Sequence, residues 1–289
     1  MKPPPFEYVR PGTVDEALAQ LAERGGEAKV LAGGQSLVPM LNLRLTRPSV
    51  LVDVNHLQLD SITRSDGGLR IGSTVRQHRL IDDSVVGEAL PILAHVTPYI
   101  AHPAIRQRGT VGGSIAHADP AAELALVAVL NGATMFVSSS VAEREIPAED
   151  FFMGTFTTAL RENELLTAVE FRAAEGMTSF GFVEIAEREG DFALVSAAAQ
   201  LSWSDDAISG ARVAVAGGAE VPLRLGEVER LVQEAGSGPG ADLWTEAGSM
   251  ARTAVEPMGD IHATAEHRRA LVGELVARSV RQAVEEHRS

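Results

Sequence analysis

Ala32-Gly33-Gly34-Gln35-Ser36-Leu37 is the stretch that organises this sequence, and Thr110-Val111-Gly112-Gly113-Ser114 is its counterpart. Each begins where an apolar run stops, and each sets Gly-Gly beside a small hydroxyl residue. Glycine tolerates positive φ and lets the backbone approach a neighbour closely. Successive N–H groups in such a turn form an anion-binding nest. Two nests in one domain point to one ligand with an extended anionic centre, such as a dinucleotide pyrophosphate. Neither stretch matches the G-x-G-x-x-G or G-x-x-x-x-G-K-[ST] patterns, so spacing alone leaves a dinucleotide site and a pair of ordinary turns equally open. A third pair, in Ala216-Gly217-Gly218-Ala219, has no hydroxyl or amide after it and reads as a turn.

The charge balance sharpens this reading. With 25 basic against 39 acidic residues the net charge is −14, which argues against a nucleic-acid binder. An acidic chain has to hold a phosphate mainly through backbone N–H donors. There are no cysteines, which excludes disulfides, a catalytic thiol and cysteine-held iron–sulfur clusters or zinc on this chain. No apolar signal segment follows Met1-Lys2-Pro3-Pro4-Pro5. The apolar run at 124–130 is far shorter than the ~20 residues of a membrane span. The expectation is a cytoplasmic protein without a membrane span.

Thr13-Val14-Asp15-Glu16 is a capping box. It predicts a helix with Val14, Ala17, Leu18 and Leu21 on one face and Gly25-Gly26 at its end. Residues 29–31, 50–54, 69–72, 134–138 and 165–171 read as strands. Thr74 is expected to cap a short helix through Leu80, and another helix is expected over 90–100. Asp119-Pro120 reads as N-cap and first turn of a helix through Leu130, stopped by Asn131-Gly132. The small, polar segment 173–178 marks a domain boundary. Beyond it, 180–185, 192–203 and 207–216 predict an antiparallel meander, followed by helices over 227–235, 242–253 and 264–285. The class is α+β.

His95, His102 and His117 are read on irregular segments without the pairing of a metal set, so no metal site is expected. His117 and Asp119 flank the second glycine segment and are in reach of a ligand there. Asp82-Asp83, Glu149-Asp150 and Asp205-Asp206 read as solvated turns, and no Ser-His-Asp order is visible.

Extended through Val38-Pro39-Met40-Leu41 and Arg44-Leu45, the first stretch resembles the first FAD loop of the medium subunit of molybdenum hydroxylases. This is the flavoprotein chain of the carbon monoxide dehydrogenase and xanthine dehydrogenase family. The run from His102-Pro103-Ala104-Ile105 through Ser114 to Ala118-Asp119-Pro120-Ala121-Ala122-Glu123 resembles its second FAD loop. Phe6-Glu7-Tyr8-Val9-Arg10-Pro11, Asp150-Phe151-Phe152 and Arg188-Glu189-Gly190-Asp191-Phe192-Ala193 also fit. The resemblance covers nearly the whole chain.

The resemblance implies a two-subdomain FAD domain of the vanillyl-alcohol oxidase / p-cresol methylhydroxylase type over 1–173, with subdomains of about 1–55 and 56–173. A smaller C-terminal domain over 174–289 would carry a three-stranded antiparallel sheet and helices. By the same resemblance Ala32, Gly33, Gly34, Gln35, Ser36 and Leu37 hold the pyrophosphate and nearby ribityl atoms. Thr110, Val111, Gly112, Gly113 and Ser114 share that role, with Ile105 counted among the cofactor-binding residues. Asp119 and Glu123 would face the adenosine–ribityl region, Leu165 the flavin or adenine side, and Phe192 the isoalloxazine ring. Glu184 stands where several relatives have Lys, and Glu123 where some have Asp. No acid–base residue is assigned a catalytic role, since the cofactor carries the chemistry.

The implied assembly is a dimer of heterotrimers. A large molybdopterin subunit would oxidise substrate, a small subunit with two [2Fe–2S] clusters would pass electrons on, and this chain would deliver them to NAD, a quinone or oxygen. The basic islands Arg44–Arg47 and Arg106–Arg108 would face the flavin phosphates or the iron–sulfur subunit. The alternatives are a stand-alone FAD oxidoreductase of the same fold and a flavin-free scaffold. Carbon monoxide, purines, N-heterocycles, aldehydes and acyl thioesters all remain open as the substrate.

Overall fold

A computed structural model describes residues 2–173 and 176–288; residues 174 and 175, inside the predicted boundary segment, lie outside the described residues. The first sheet joins β1 (Glu7–Val9), β2 (Ala28–Leu31) and β3 (Val50–Asp53) in the order β1-β3-β2, both pairings parallel. Helix α1 (Val14–Arg24) connects β1 to β2 and buries Ala17, Leu18 and Leu21 against Val50 and Val52. Thr13 Oγ1 accepts from the Glu16 N–H at 3.2 Å, and the Glu16 carboxylate reaches past Thr13 to the Gly12 N–H at 2.7 Å. Gly25, at φ +52, ends the helix as predicted. Helix α2 (Leu37–Asn42) lies between β2 and β3.

The second sheet is antiparallel throughout, in the order β4-β5-β10-β6-β7. Its strands are β4 (Ile62–Ser65), β5 (Gly68–Gly72), β6 (Thr134–Ser138), β7 (Glu143–Pro147) and, after the short pair β8 (Phe152–Gly154) and β9 (Thr157–Thr158), β10 (Leu165–Arg172). Between β5 and β6 run α3 (Arg79–Asp82), α4 (Ser84–Ala89), α5 (Pro91–Val96), α6 (Pro103–Arg106), α7 (Val111–His117) and α8 (Glu123–Asn131); α9 (Ala148–Phe151) follows β7. All nine residues of α8 are buried. A helix apolar all round needs cover on every side. Here Leu124 to Leu130 pack between Leu69, Ile71 and Phe171 of the second sheet and Phe182, Ala198 and Ala214 of the third.

That third sheet comprises β11 (Met177–Ala186), β12 (Ala193–Ser204), β13 (Ala207–Ala216) and the two-residue β14 (Leu223–Arg224), all antiparallel neighbours. The expected three-stranded sheet therefore carries a fourth, edge strand, too short to show a period of two. Its far face is covered by α10 (Gly226–Glu234), α11 (Ala241–Thr253) and α12 (Ala265–Arg288), with Val272, Leu275, Val276 and Val280 in the shared core. β12 is covered on both faces, which is why it reads as the continuous apolar run Ala197-Ala198-Ala199. Tyr99 meets Phe182 edge-on at 4.8 Å and His95 meets Phe180 at 5.2 Å, tying this sheet to the α5 region.

Several local expectations are corrected. Residues 74–78 are not helical: α3 starts at Arg79, because Val75 and Gln77 are held by contacts to the distant 109–111 strand-like segment. The helix expected over 90–100 stops at Val96 and continues only as a 3-10 turn, Thr97–Tyr99, where Pro98 cannot donate. Asp119 caps a turn, its carboxylate accepting from the Ala121 N–H at 2.9 Å, and α8 starts at Glu123 instead. His95 and His117 sit in helices rather than on irregular segments.

Candidate functional site

The first glycine segment leaves β2, turns at Gly34 (φ +71) and enters α2. Gln35 Nε2 donates to Gly33 O at 2.8 Å, and Asn55 Nδ2 donates to Ala32 O at 2.9 Å. These bonds occupy carbonyls. Among the described residues, the N–H groups of Gly34, Gln35, Ser36 and Leu37 have no acceptor, and Ser36 offers no side-chain cap to α2. Four adjacent free donors make this the predicted nest.

The second segment is different. Thr110 is the N-cap of α7, its Oγ1 accepting from Gly113 N–H at 3.0 Å, and its carbonyl accepts from Ser114 N–H at 3.1 Å. Val111 N–H donates to Val75 O and Gly112 N–H to Ser73 O, both at 2.9 Å. The expectation of a second open nest is thus corrected: the donors of residues 111–114 are consumed within the chain. The glycines here serve packing. A Cβ on Gly112 would lie 2.4 Å from Ser73 Cβ, and one on Gly113 would lie 2.6 Å from Thr110 Oγ1 and 3.6 Å from Ala32 Cβ. The Gly217-Gly218 pair is a turn as expected, Gly217 N–H donating to Pro120 O at 2.9 Å.

The fold presses the two segments together. A Cβ on Gly33 would meet Arg108 O at 2.3 Å, so this position needs glycine for close approach. Arg76 Nη1 donates to the same oxygen, while Nη2 donates to Asn55 Oδ1 at 2.7 Å. Sequence reading missed Arg76 and Asn55. The one local hint is Asp53–Asn55 directly after a buried strand, where Asn55 N–H donates to Asp53 Oδ1 at 2.9 Å.

Four ionisable groups gather past α7. Burial raises the Asp119 carboxyl above the usual range and lowers the His117 imidazole, whose ring meets Phe156 at 4.9 Å. Glu123 opens α8 and is buried; burial, with Asp119 adding and Arg106 opposing, pushes it up to about 7. Glu184 shares the β11 face of Phe180 and Phe182, which pack toward α8. Burial and Glu123 push it to about 8, and its Oε2 is buried without a hydrogen-bond partner. Carboxyls raised in this way hold a proton to higher pH than usual, and in the protonated form can donate to a ligand oxygen or ring nitrogen.

Ile105 is half-buried in α6, its carbonyl accepting from Gly109 N–H at 2.7 Å. Leu165 is 4% exposed and packs in the core of the first sheet rather than at an open surface. Phe192 is 65% exposed just before β12. The turn before it lies on α6: a Cβ on Gly190 (φ +84) would sit 2.6 Å from the His102 ring. Arg106 is corrected from a surface island to a buried staple, its Nη1 donating to the carbonyls of Pro98, Ile100 and Ala101. Arg108 is exposed. Among the described residues no three His, Asp or Glu side chains form a metal-holding group, and no helix is long and apolar enough to cross a membrane.

Comparisons with known proteins follow the same outline. Residues 4–171 match the family described as FAD binding domain in molybdopterin dehydrogenase, and residues 181–283 match the CO dehydrogenase flavoprotein C-terminal domain. The chain is 36% identical over 286 residues to the 6-hydroxypseudooxynicotine dehydrogenase complex subunit alpha of Paenarthrobacter nicotinovorans, covering 98% of this chain and 96% of that one. A chain of quinoline 2-oxidoreductase from Pseudomonas putida 86 superposes with a TM-score of 0.95 at 35% identity, over 100% of both chains. A chain of carbon monoxide dehydrogenase from Hydrogenophaga pseudoflava does so with a TM-score of 0.95 at 32% identity, over 99% of each.

Proposed function

This chain belongs to the family of FAD-binding subunits of molybdopterin dehydrogenases, and from that premise we propose that it is the electron-delivering flavoprotein of a heterotrimeric molybdenum hydroxylase. The observation that carries the reading is the row of four free N–H groups at 34–37, closed against the second glycine segment. The residues present fit FAD. The free donors suit a pyrophosphate on a chain of net charge −14, and the partnerless Glu184 Oε2, on a carboxyl that burial pushes up to about 8, suits a ligand acceptor.

When bound, FAD supplies the capacity to accept electrons singly and release them in pairs. Residues 34–37 would hold the phosphates through backbone N–H. Thr110 and Ser114 would line the opposite side with Ile105 nearby. Glu123 and Glu184 would donate in their protonated forms, and Asp119 would sit beside them. Phe192 would cover the ring system from the β11–β12 turn. Leu165 would act from the core side, through its backbone strand. The domain division is proposed at 173/174, with subdomains meeting near residue 55.

Exposed Val38, Leu43 and Leu45 surround Arg44 beside the first segment. We assign this apolar, basic patch to contact with the iron–sulfur chain. The relatives' names specify different substrates, although each match spans essentially the whole chain. Substrate choice therefore belongs to a large molybdopterin subunit. The assembly is proposed as a cytoplasmic dimer of heterotrimers, with NAD, a quinone or oxygen as acceptor.

The test is the visible spectrum of the natively purified protein, with released flavin, iron and molybdenum quantified in one sample. One FAD per chain with both metals supports the relay. FAD without metals in an intact assembly supports a stand-alone oxidoreductase. No flavin in a folded assembly overturns the reading.

A further inference from the structure

The oxygen of Arg108 that lies against Gly33 is also the one gripped by Arg76. The other arm of that guanidinium ends on Asn55 Oδ1 at 2.7 Å. Asn55 is fully oriented by its partners: Oδ1 accepts from Arg76, and Nδ2 donates to Ala32 O at 2.9 Å. Behind it, Asp53 accepts from Asn55 N–H at 2.9 Å and from the Tyr8 hydroxyl. A continuous hydrogen-bonded chain therefore runs from β1, through the end of β3, to the carbonyl preceding the second glycine segment. It ends where Gly33 of the first glycine segment lies against the residues that lead into the second.

We propose that Arg76 is a positioning residue that sets the spacing between the segments at 32–37 and 110–114, and thereby the affinity for FAD. The inference rests on the flavin reading above. Each terminal nitrogen of Arg76 donates one hydrogen bond to a protein oxygen, which ties the side chain to Arg108 O and Asn55 and gives it a route to the site through the protein. A binding site split over two sheets gains affinity when its halves are held in the bound arrangement beforehand. A planar guanidinium spans two acceptors at fixed separation, which a lysine ammonium on its flexible stem cannot reproduce.

The natively purified protein, with any accompanying chains, is stripped of flavin and titrated with FAD, and the flavin-free samples are melted. Wild type, R76Q, R76K, N55A and the R76Q/N55A pair are compared at two salt concentrations. R76Q is expected to raise the FAD Kd roughly 10- to 100-fold, the loss of charge-assisted hydrogen bonds. R76K recovers part of it, N55A matches R76Q, and the pair is no worse than either single change. The salt dependence stays that of the wild type. Unchanged binding in R76Q overturns the proposal. So does a loss confined to R76Q with an altered salt dependence, which makes Arg76 a direct phosphate ligand. A loss of affinity that follows the fall in flavin-free melting temperature across all variants reduces Arg76 to general stability and also overturns it. Should R76Q not fold, R76K and N55A decide the matter by the same criteria. Failure of the wild type to take up FAD removes the flavin reading itself, a result distinct from any of these.

Discussion

Gly33 and Arg108 touch so closely that the α-carbon of one leaves no room for a side chain beside the carbonyl of the other: a Cβ would come within 2.3 Å of that oxygen and 2.8 Å of the Gly109 α-carbon. Both obstacles are backbone, so a side chain there is accommodated only by separating the segments. Gly33→Ala is expected to cost about 1–3 kcal/mol through overpacking and to lower flavin content in the purified protein. Gly87→Ala is the control. Nothing lies within 4 Å of that site on α4, so it should be neutral or stabilising by about 0.5–1 kcal/mol. Equal flavin content in the two variants would count against the close-approach role.

Glu164 is gripped by Arg144, whose Nε and Nη2 reach its two oxygens at 2.8 and 2.7 Å, and it also accepts from Arg161 N–H at 2.8 Å. Burial alone would raise its pKa, but these bonds outweigh it and hold the carboxyl below its usual value of 4.5. A depressed carboxyl contributes stability above its unfolded pKa and loses it as pH falls through the folded one. The melting temperature should therefore fall as pH drops below about 4.5, and Glu164→Gln should flatten that limb while lowering stability at neutral pH. An acid limb of unchanged slope in the variant would refute the assignment.

Glu184 behaves with the opposite sign. Its pKa is raised to about 8, chiefly by burial and then by Glu123, so the folded state retains a proton that the unfolded state has released. Stability attributable to this group declines as pH rises from about 4.5 to about 8. Glu184→Gln, neutral at every pH, should narrow the difference in flavin-free melting temperature between the two ends of that window. An unchanged difference in the variant would show that folding does not raise the pKa of this carboxyl.

Thr110 is the cap of α7 and holds Gly113 N–H through its hydroxyl. Thr110→Ala should cost about 1 kcal/mol and Thr110→Ser much less. Denaturant midpoints of the two variants measure this directly, and equal midpoints would mean that the cap carries no weight.

Much of the fold could be read locally. The α1 box and its glycine stop are satisfied within four residues of each cap, so they are written in adjacent side chains. The apolar run of α8 announces burial without saying against what. The short β14, the broken helix after Val96 and the non-helical 74–78 escaped because neighbours distant in sequence decide them. The glycine segments looked alike, yet the first keeps its donors free while Ser73 and Val75, with Thr110 itself, take those of the second.

By itself, then, the sequence determined the α+β class, the cysteine-free acidic chain and the two close-approach glycine segments with their family likeness. Only the tertiary structure decided which N–H groups remain free, which arginine staples and which bridges, and that Glu184 comes beside Glu123. The physical reason is range. A cap or a glycine turn is satisfied within a few residues, whereas Arg76 reaches an oxygen 32 positions away and the buried carboxyls meet only once sheets have packed.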